Sequence, residues 1–105
     1  GNIHPSTVNA LINLATVHKD LQEFDLAVPL YEEAMEGRRQ LEGENSMSYA
    51  MVKAMAAGAY RELGQYEKAD QYLKDSYLKV ALEYGEDNLS AAVILNSMGM
   101  LYKKQ

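Results

Sequence analysis

The 105-residue sequence contains no cysteine and no tryptophan, and it has only two prolines. Without cysteine the chain can form neither disulfides nor thiolate metal sites, which favours a reducing, cytoplasmic setting. No stretch approaches the ~20 apolar residues that a membrane-spanning helix needs, and the N-terminus lacks the basic and apolar regions of a signal peptide. The sequence therefore predicts a cytoplasmic domain without membrane insertion.

Positive charge is also scarce, because 10 lysines and arginines face 15 aspartates and glutamates, giving a net charge of -5. Such a chain repels phosphate backbones, so we expect no nucleic acid among its partners. Signatures of catalysis are missing too. His4 and His18 are the only imidazoles, and the sequence has no His-x-x-x-His pair and no glycine-rich phosphate loop. It predicts a protein that is not an enzyme and uses no cofactor or metal.

What the sequence does contain is a repeat of forty-two residues. Glycines recur at this spacing, and so do small and aromatic residues: Gly1, Gly43 and Gly85; Ala15, Ala57 and Gly99; His18, Tyr60 and Tyr102; Phe24 and Tyr66. A fixed period of this size is typical of solenoids. In a solenoid each unit buries its apolar face against its neighbours, and one long surface is left open to partners.

Within the repeat, apolar residues fall at three- and four-residue steps, as on one face of a helix. The pattern predicts helices over about residues 5–21, 24–41, 47–63, 66–84 and 89–104. Paired as antiparallel hairpins, they predict an all-α, right-handed superhelix of about two and a half repeats, with boundaries near 5–46, 47–88 and 89–105. We expect such an array to be a fragment of a longer protein.

Small and aromatic residues follow one another in the same order in both full units. The first unit reads Leu14-Ala15, His18, Phe24, Ala27, Tyr31 and Ala34, and the second reads Ala56-Ala57, Tyr60, Tyr66, Ala69, Leu73 and Ser76. This order resembles the tetratricopeptide repeat, which usually has about thirty-four residues. The longer repeat, together with Asn2-Ile3-His4-Pro5 and Ala27-Val28-Pro29-Leu30-Tyr31, is similar to the kinesin light chain type.

The resemblance implies a protein-protein interaction module that holds a peptide or partner segment in its concave groove, as the cargo-binding repeats of kinesin light chains do. In such arrays the first helix of each pair lines the groove. The predicted partner-binding residues are therefore Asn9, Ile12, Asn13, Thr16, Met51, Met55, Arg61, Asn96, Met100 and Lys103. Asparagine amides can pair with the backbone of an extended peptide, and methionines adapt to varied partners.

Other interpretations remain open. Some tetratricopeptide arrays grip the C-terminal carboxylates of chaperones with lysines and asparagines, but Ile12, Thr16 and Met55 occupy the corresponding positions here. The main alternative is an architectural spacer or self-association segment without a peptide ligand. We expect the last helix to leave an apolar flank bare and to mediate self-association at high concentration. The acidic residues Glu32, Glu33 and Glu36 are expected on a solvated helix face.

Overall fold

The computed structural model describes residues 4–85 and residue 94. This part of the chain forms four α-helices and no strand: α1 (Pro5–Asp20), α2 (Phe24–Glu42), α3 (Met47–Glu62) and α4 (Tyr66–Tyr84). Each predicted boundary of these four helices is confirmed to within one residue. The predicted fifth helix and half repeat, from residue 89 onwards, lie outside the described residues apart from Ile94.

Local sequence signals explain where these helices begin and end. Pro5 opens α1, at a position where a missing backbone N–H costs nothing because the first helical donors have no partner. Ser46 caps α3, since its Oγ accepts a hydrogen bond from the Tyr49 N–H at 3.1 Å and donates one to the Gly43 carbonyl at 3.1 Å. Gly43 and Gly85 end α2 and α4 with φ values of 89° and 90°.

The two turns within the hairpins have the same backbone bonds but different residues. The Glu23 N–H donates to the His18 carbonyl at 2.7 Å, and the Gln65 N–H donates to the Tyr60 carbonyl at 2.9 Å. Gly64 adopts the left-handed conformation in the second turn, with a φ of 81°. The corresponding residue of the first turn, Gln22, adopts it with a φ of 63°. A residue with a side chain destabilises such a turn by about 1–2 kcal/mol.

The helices pack in sequential pairs, α1 on α2, α2 on α3, and α3 on α4. Small and large side chains alternate in the core, as the repeat order predicts. The fully buried set includes Ala15, Ala27, Tyr31, Ala34, Ala57, Ala69 and Leu73. Small residues allow two helix axes to approach to about 8–10 Å, while the larger ones fill the space beside each crossing. The predicted all-α array of antiparallel helix pairs is confirmed.

Candidate functional site

The C-terminal parts of α1 and α3, together with the α1–α2 turn and the start of α2, line an open surface hollow of about 360 Å³, which we call the α1–α3 hollow. Its lining residues are Lys19, Asp20, Gln22, Phe24, Gly58, Arg61 and Glu62. The two helices are the first helices of neighbouring units, so two units contribute to one surface depression. Of the predicted partner-binding residues, Arg61 is part of this lining.

Some charged side chains around the hollow are neutralised by an ion pair, and others are free to contact a ligand. Arg61 is buried apart from 13% of its side chain, and its Nη2 lies 3.1 Å from Glu62 Oε1, so its positive charge is balanced locally. Lys19 and Asp20 have no ion-pair partner among the described residues. One free charge of each sign therefore faces a ligand entering the hollow.

Gly58 forms an open part of the hollow's wall. It lies inside α3 with ordinary helical backbone, and a Cβ built on it would meet no atom within 4 Å. The residue one repeat earlier is Thr16. Neither backbone conformation nor packing within the described residues requires glycine here, and the missing side chain enlarges the hollow.

The predicted residues of α1 differ in how available they are. Asn9 and Asn13 are exposed, and the Asn9 side-chain oxygen accepts a hydrogen bond from Arg38. Thr16 Oγ1 donates to the Ile12 carbonyl at 2.8 Å. Because a hydroxyl has a single proton, the 3.1 Å contact between Thr16 Oγ1 and the Tyr31 hydroxyl must be donated by Tyr31.

The remaining predicted residues fall into two groups. Ile12, Met51 and Met55 are half-buried and pack against the core. Asn96, Met100 and Lys103 lie outside the described residues. The structure adds Asp20, Gln22 and Phe24 to the surface around Arg61. Sequence reasoning missed them because two of them belong to the turn and the start of α2, which the spacing along the first helix does not sample.

Tyr31 is fully buried beneath this surface. Burial raises the pKa of its hydroxyl, and the negative charge of Asp20 adds to that rise.

The expectation that Glu32 lies on a solvated helix face is wrong. The residue is half-buried, and its Oε1 accepts hydrogen bonds from the hydroxyls of Tyr60 at 2.7 Å and Tyr72 at 2.8 Å. The two rings meet edge to face, with centroids 5.5 Å apart. These partners come from the next unit, so the contact forms only when the hairpins stack. Glu33 and Glu36 are exposed, as expected.

Two lysines complete this junction between α2, α3 and α4. The Lys68 ammonium lies 4.8 Å from the ring centroid of Tyr60, and the Lys53 ammonium lies 5.1 Å from that of Tyr72. Both distances are within the range of cation–π attraction. Lys53 also pairs with Asp75 at 3.2 Å. The lysine contacts lie within the second unit and surround the two tyrosines, and Glu32 supplies the polar contact from the first unit to them.

The tyrosines of this junction should titrate abnormally. Burial raises the pKa of Tyr60 and of Tyr72 above the usual value near 10, and the hydrogen bond to Glu32 and its negative charge raise each pKa further. In the unfolded chain these tyrosines ionise first as the pH rises. The free energy of unfolding should therefore be insensitive to them below about pH 10 and should fall above it.

We expect a spectrophotometric titration of tyrosinate to show at least two groups that ionise only with unfolding. The Glu32→Gln variant keeps an accepting oxygen but removes the charge, so the pKa of Tyr60 and Tyr72 should move back towards the usual value. A Glu33→Gln variant serves as the control and should leave the titration unchanged. Normal titration of every tyrosine in the folded chain would contradict the junction geometry.

Within residues 4–85, no cluster of three or more histidine, aspartate and glutamate side chains is arranged to hold a metal ion. None of the four described helices combines the length and apolar character needed to cross a membrane.

Comparisons with known proteins agree with this fold. A family model described as tetratricopeptide repeat matches residues 6–77. The clustered mitochondria protein homolog of Meyerozyma guilliermondii is 36% identical over 76 residues, which cover 66% of this chain and 6% of that protein. The crystal structure of BtubC (BKLC) from P. vanneervenii shares the fold with a TM-score of 0.82 and 24% identity. That similarity covers 91% of this chain and 38% of the other, so this chain spans only a small part of either protein.

Proposed function

Because the chain belongs to the tetratricopeptide repeat family, whose repeats generally mediate protein-protein interaction, we propose that it binds an extended peptide segment of a protein partner along the face formed by α1 and α3. The observation that carries the proposal is the α1–α3 hollow, to which two neighbouring units contribute. The partner is a cytoplasmic protein in this proposal, and the net charge of -5 argues against nucleic acid.

The groups on this face suit a peptide backbone better than a single small molecule. Asn13 is exposed, and its side-chain amide has no hydrogen bond among the described residues. An amide offers two donors and an acceptor, which match the N–H and carbonyl groups of an extended chain. Met51 and Met55, half-buried on α3, offer deformable apolar contacts nearby. We expect affinities near micromolar, since two units offer less than the ~800 Å² per partner of a standard interface.

Selection of random short peptides displayed on phage against the chain tests the proposal. The Asn9→Ala, Asn13→Ala double variant should weaken the selected peptides by about tenfold, because each lost hydrogen bond is worth about 0.5–1.5 kcal/mol. Glu33→Ala with Glu36→Ala changes two exposed residues of α2 and is the matched control. If no peptide is enriched, or if only the control pair reduces binding, the proposal is wrong.

A specific observation supports assembly as the alternative function. Leu14, Val17 and Leu21 form a stripe along α1 and are 48%, 52% and 64% exposed. One repeat later, Leu14 corresponds to Ala56 and Val17 corresponds to Ala59. Both alanines are fully buried, because α3 lies between α2 and α4. The exposed stripe is thus equivalent to a face of α3 that neighbouring helices cover. In the alternative, a helix from a second copy of this chain covers it.

Analytical ultracentrifugation tests this alternative, because it measures the association state of the chain. We expect the chain to associate with rising concentration, and a Leu14→Gln, Val17→Gln double variant to remain monomeric, since it removes apolar area without changing the buried core. Leu63→Gln, an equally simple change at an exposed residue of the α3–α4 turn, is the control. Association that survives the double variant would exclude the α1 stripe and leave the predicted C-terminal helix, which lies outside the described residues.

A further inference from the structure

Two residues that contradict local structural preference line the same hollow. Gly58 is a glycine inside a helix, where glycine is among the least favourable residues. Gln22 has a side chain at a turn position with a φ of 63°, where glycine is preferred and where the second unit has Gly64. One position lacks a side chain that the fold could accept, and the other keeps one that the turn disfavours. Both departures shape the α1–α3 hollow.

Internal packing does not account for either residue. A Cβ at Gly58 would contact nothing within 4 Å. The side chain of Gln22 is exposed, and no hydrogen bond holds it among the described residues. Local violations without an internal compensation are expected at functional sites, where the structure serves a ligand and not its own stability. The space over Gly58 and the free amide of Gln22 therefore point to a bound segment.

The charge of the whole chain and the aromatic wall of the hollow bear on which side chain enters it. Arg61 is neutralised by Glu62, so the basic group that could attract an acidic peptide is already used. Asp20 has a free carboxylate, and the whole chain is negative. Lys19 also lines the hollow, so the charged side chains of the lining balance one another, and it is the net charge of -5 on the whole chain that favours a basic side chain. The Phe24 ring supplies a wall for an aliphatic or cationic group.

We propose that the α1–α3 hollow is a subsite for a lysine or arginine side chain of the bound peptide. The aliphatic stem passes over Gly58 and along Phe24, the charged head reaches Asp20, and the Gln22 amide pairs with the peptide backbone. This inference rests on the proposed function and makes it more specific: the partner carries a basic residue at the position that crosses α3.

The test uses the same displayed library of random short peptides. We expect the selected sequences to share one lysine or arginine, and we expect Gly58→Met, which fills the hollow, to weaken them by about tenfold or more. Gly58→Ala is the matched control, because it adds only a Cβ in open space. It should raise the midpoint of thermal unfolding and leave binding within about twofold.

Three further variants separate an effect on binding from an effect on folding and determine the charge of the side chain that the subsite takes. Gln22→Gly should raise the midpoint of thermal unfolding and yet weaken peptide binding, a combination that a purely structural role would not give. Asp20→Asn should weaken binding by about tenfold, whereas Lys19→Met should leave it equal or strengthen it. The opposite response of these two would mean that the subsite takes an acidic side chain, and the inference would be wrong.

The remaining outcomes distinguish this inference from the proposed function. Peptides that depend on Asn9 and Asn13 but bind the Gly58→Met variant as tightly as the unmodified chain would overturn the subsite and leave the peptide groove standing. Selected peptides without any preference for a basic residue would do the same. A library that yields no binder would overturn both.

Discussion

Replacing Tyr31 with alanine is expected to lower the free energy of unfolding by about 3–5 kcal/mol, the usual cost of removing a buried aromatic ring. Tyr31 has no exposed surface, and it is among the largest fully buried side chains of the described residues. Stabilities of small domains are about 5–15 kcal/mol, so this single change should remove much of the total. Urea unfolding followed by circular dichroism measures the effect.

The Tyr31→Phe variant separates the ring from its hydroxyl. It keeps the volume and removes only the hydrogen bond donated to Thr16, so the loss should be about 0.5–1.5 kcal/mol. Leu73 occupies the same position one repeat later and is 1% exposed, so Leu73→Ala should cost about 2–5 kcal/mol. Tyr31→Ala and Tyr31→Phe variants of equal stability would show that this position does not fill the core.

Enlarging the small residues at the helix crossings is expected to have the second largest effect. Ala27 and Ala69 occupy equivalent positions at the starts of α2 and α4, and both have no exposed surface. Leucine at either position should overpack the crossing and destabilise the chain by about 1–3 kcal/mol. Thermal or urea unfolding of each single variant measures the loss.

Ala10→Leu is the control for these two variants. Ala10 lies on the exposed side of α1, so the same change of side chain should alter stability by less than about 0.5 kcal/mol. Unchanged midpoints for both Ala27→Leu and Ala69→Leu would mean that these alanines do not lie at helix crossings. A loss at only one of them would contradict the structural equivalence of the two units.

Much of the fold could be predicted because its signals are local or periodic. The apolar spacing of each helix, the glycines at 43 and 85 and the serine cap at 46 place the helix ends within one residue of those observed. The order of small and aromatic residues correctly predicts the burial of Ala27, Tyr31 and Ala69, whereas Leu14 in the same order is 48% exposed. These features act within one helix or between adjacent helices, where sequence distance and spatial distance agree.

The candidate site could be predicted less completely. Arg61 was expected on the binding face, but its ion pair with Glu62 removes the free charge that the sequence suggests. Thr16, also predicted to meet a partner, has its hydroxyl hydrogen-bonded to Ile12 and Tyr31. Helical spacing gives the direction of a side chain but not its hydrogen bonds, which depend on what the neighbouring helix presents.

The sequence by itself determined the all-α class, the forty-two-residue repeat and the helix boundaries, because each depends on backbone preferences and on apolar spacing along the chain. Only the tertiary structure decided the role of Glu32, whose partners Tyr60 and Tyr72 lie 28 and 40 residues away in the next unit. It also decided that Gln22 and Gly58 share one hollow. Both results depend on how two hairpins stack, and stacking brings together residues whose separation in sequence carries no periodic signal.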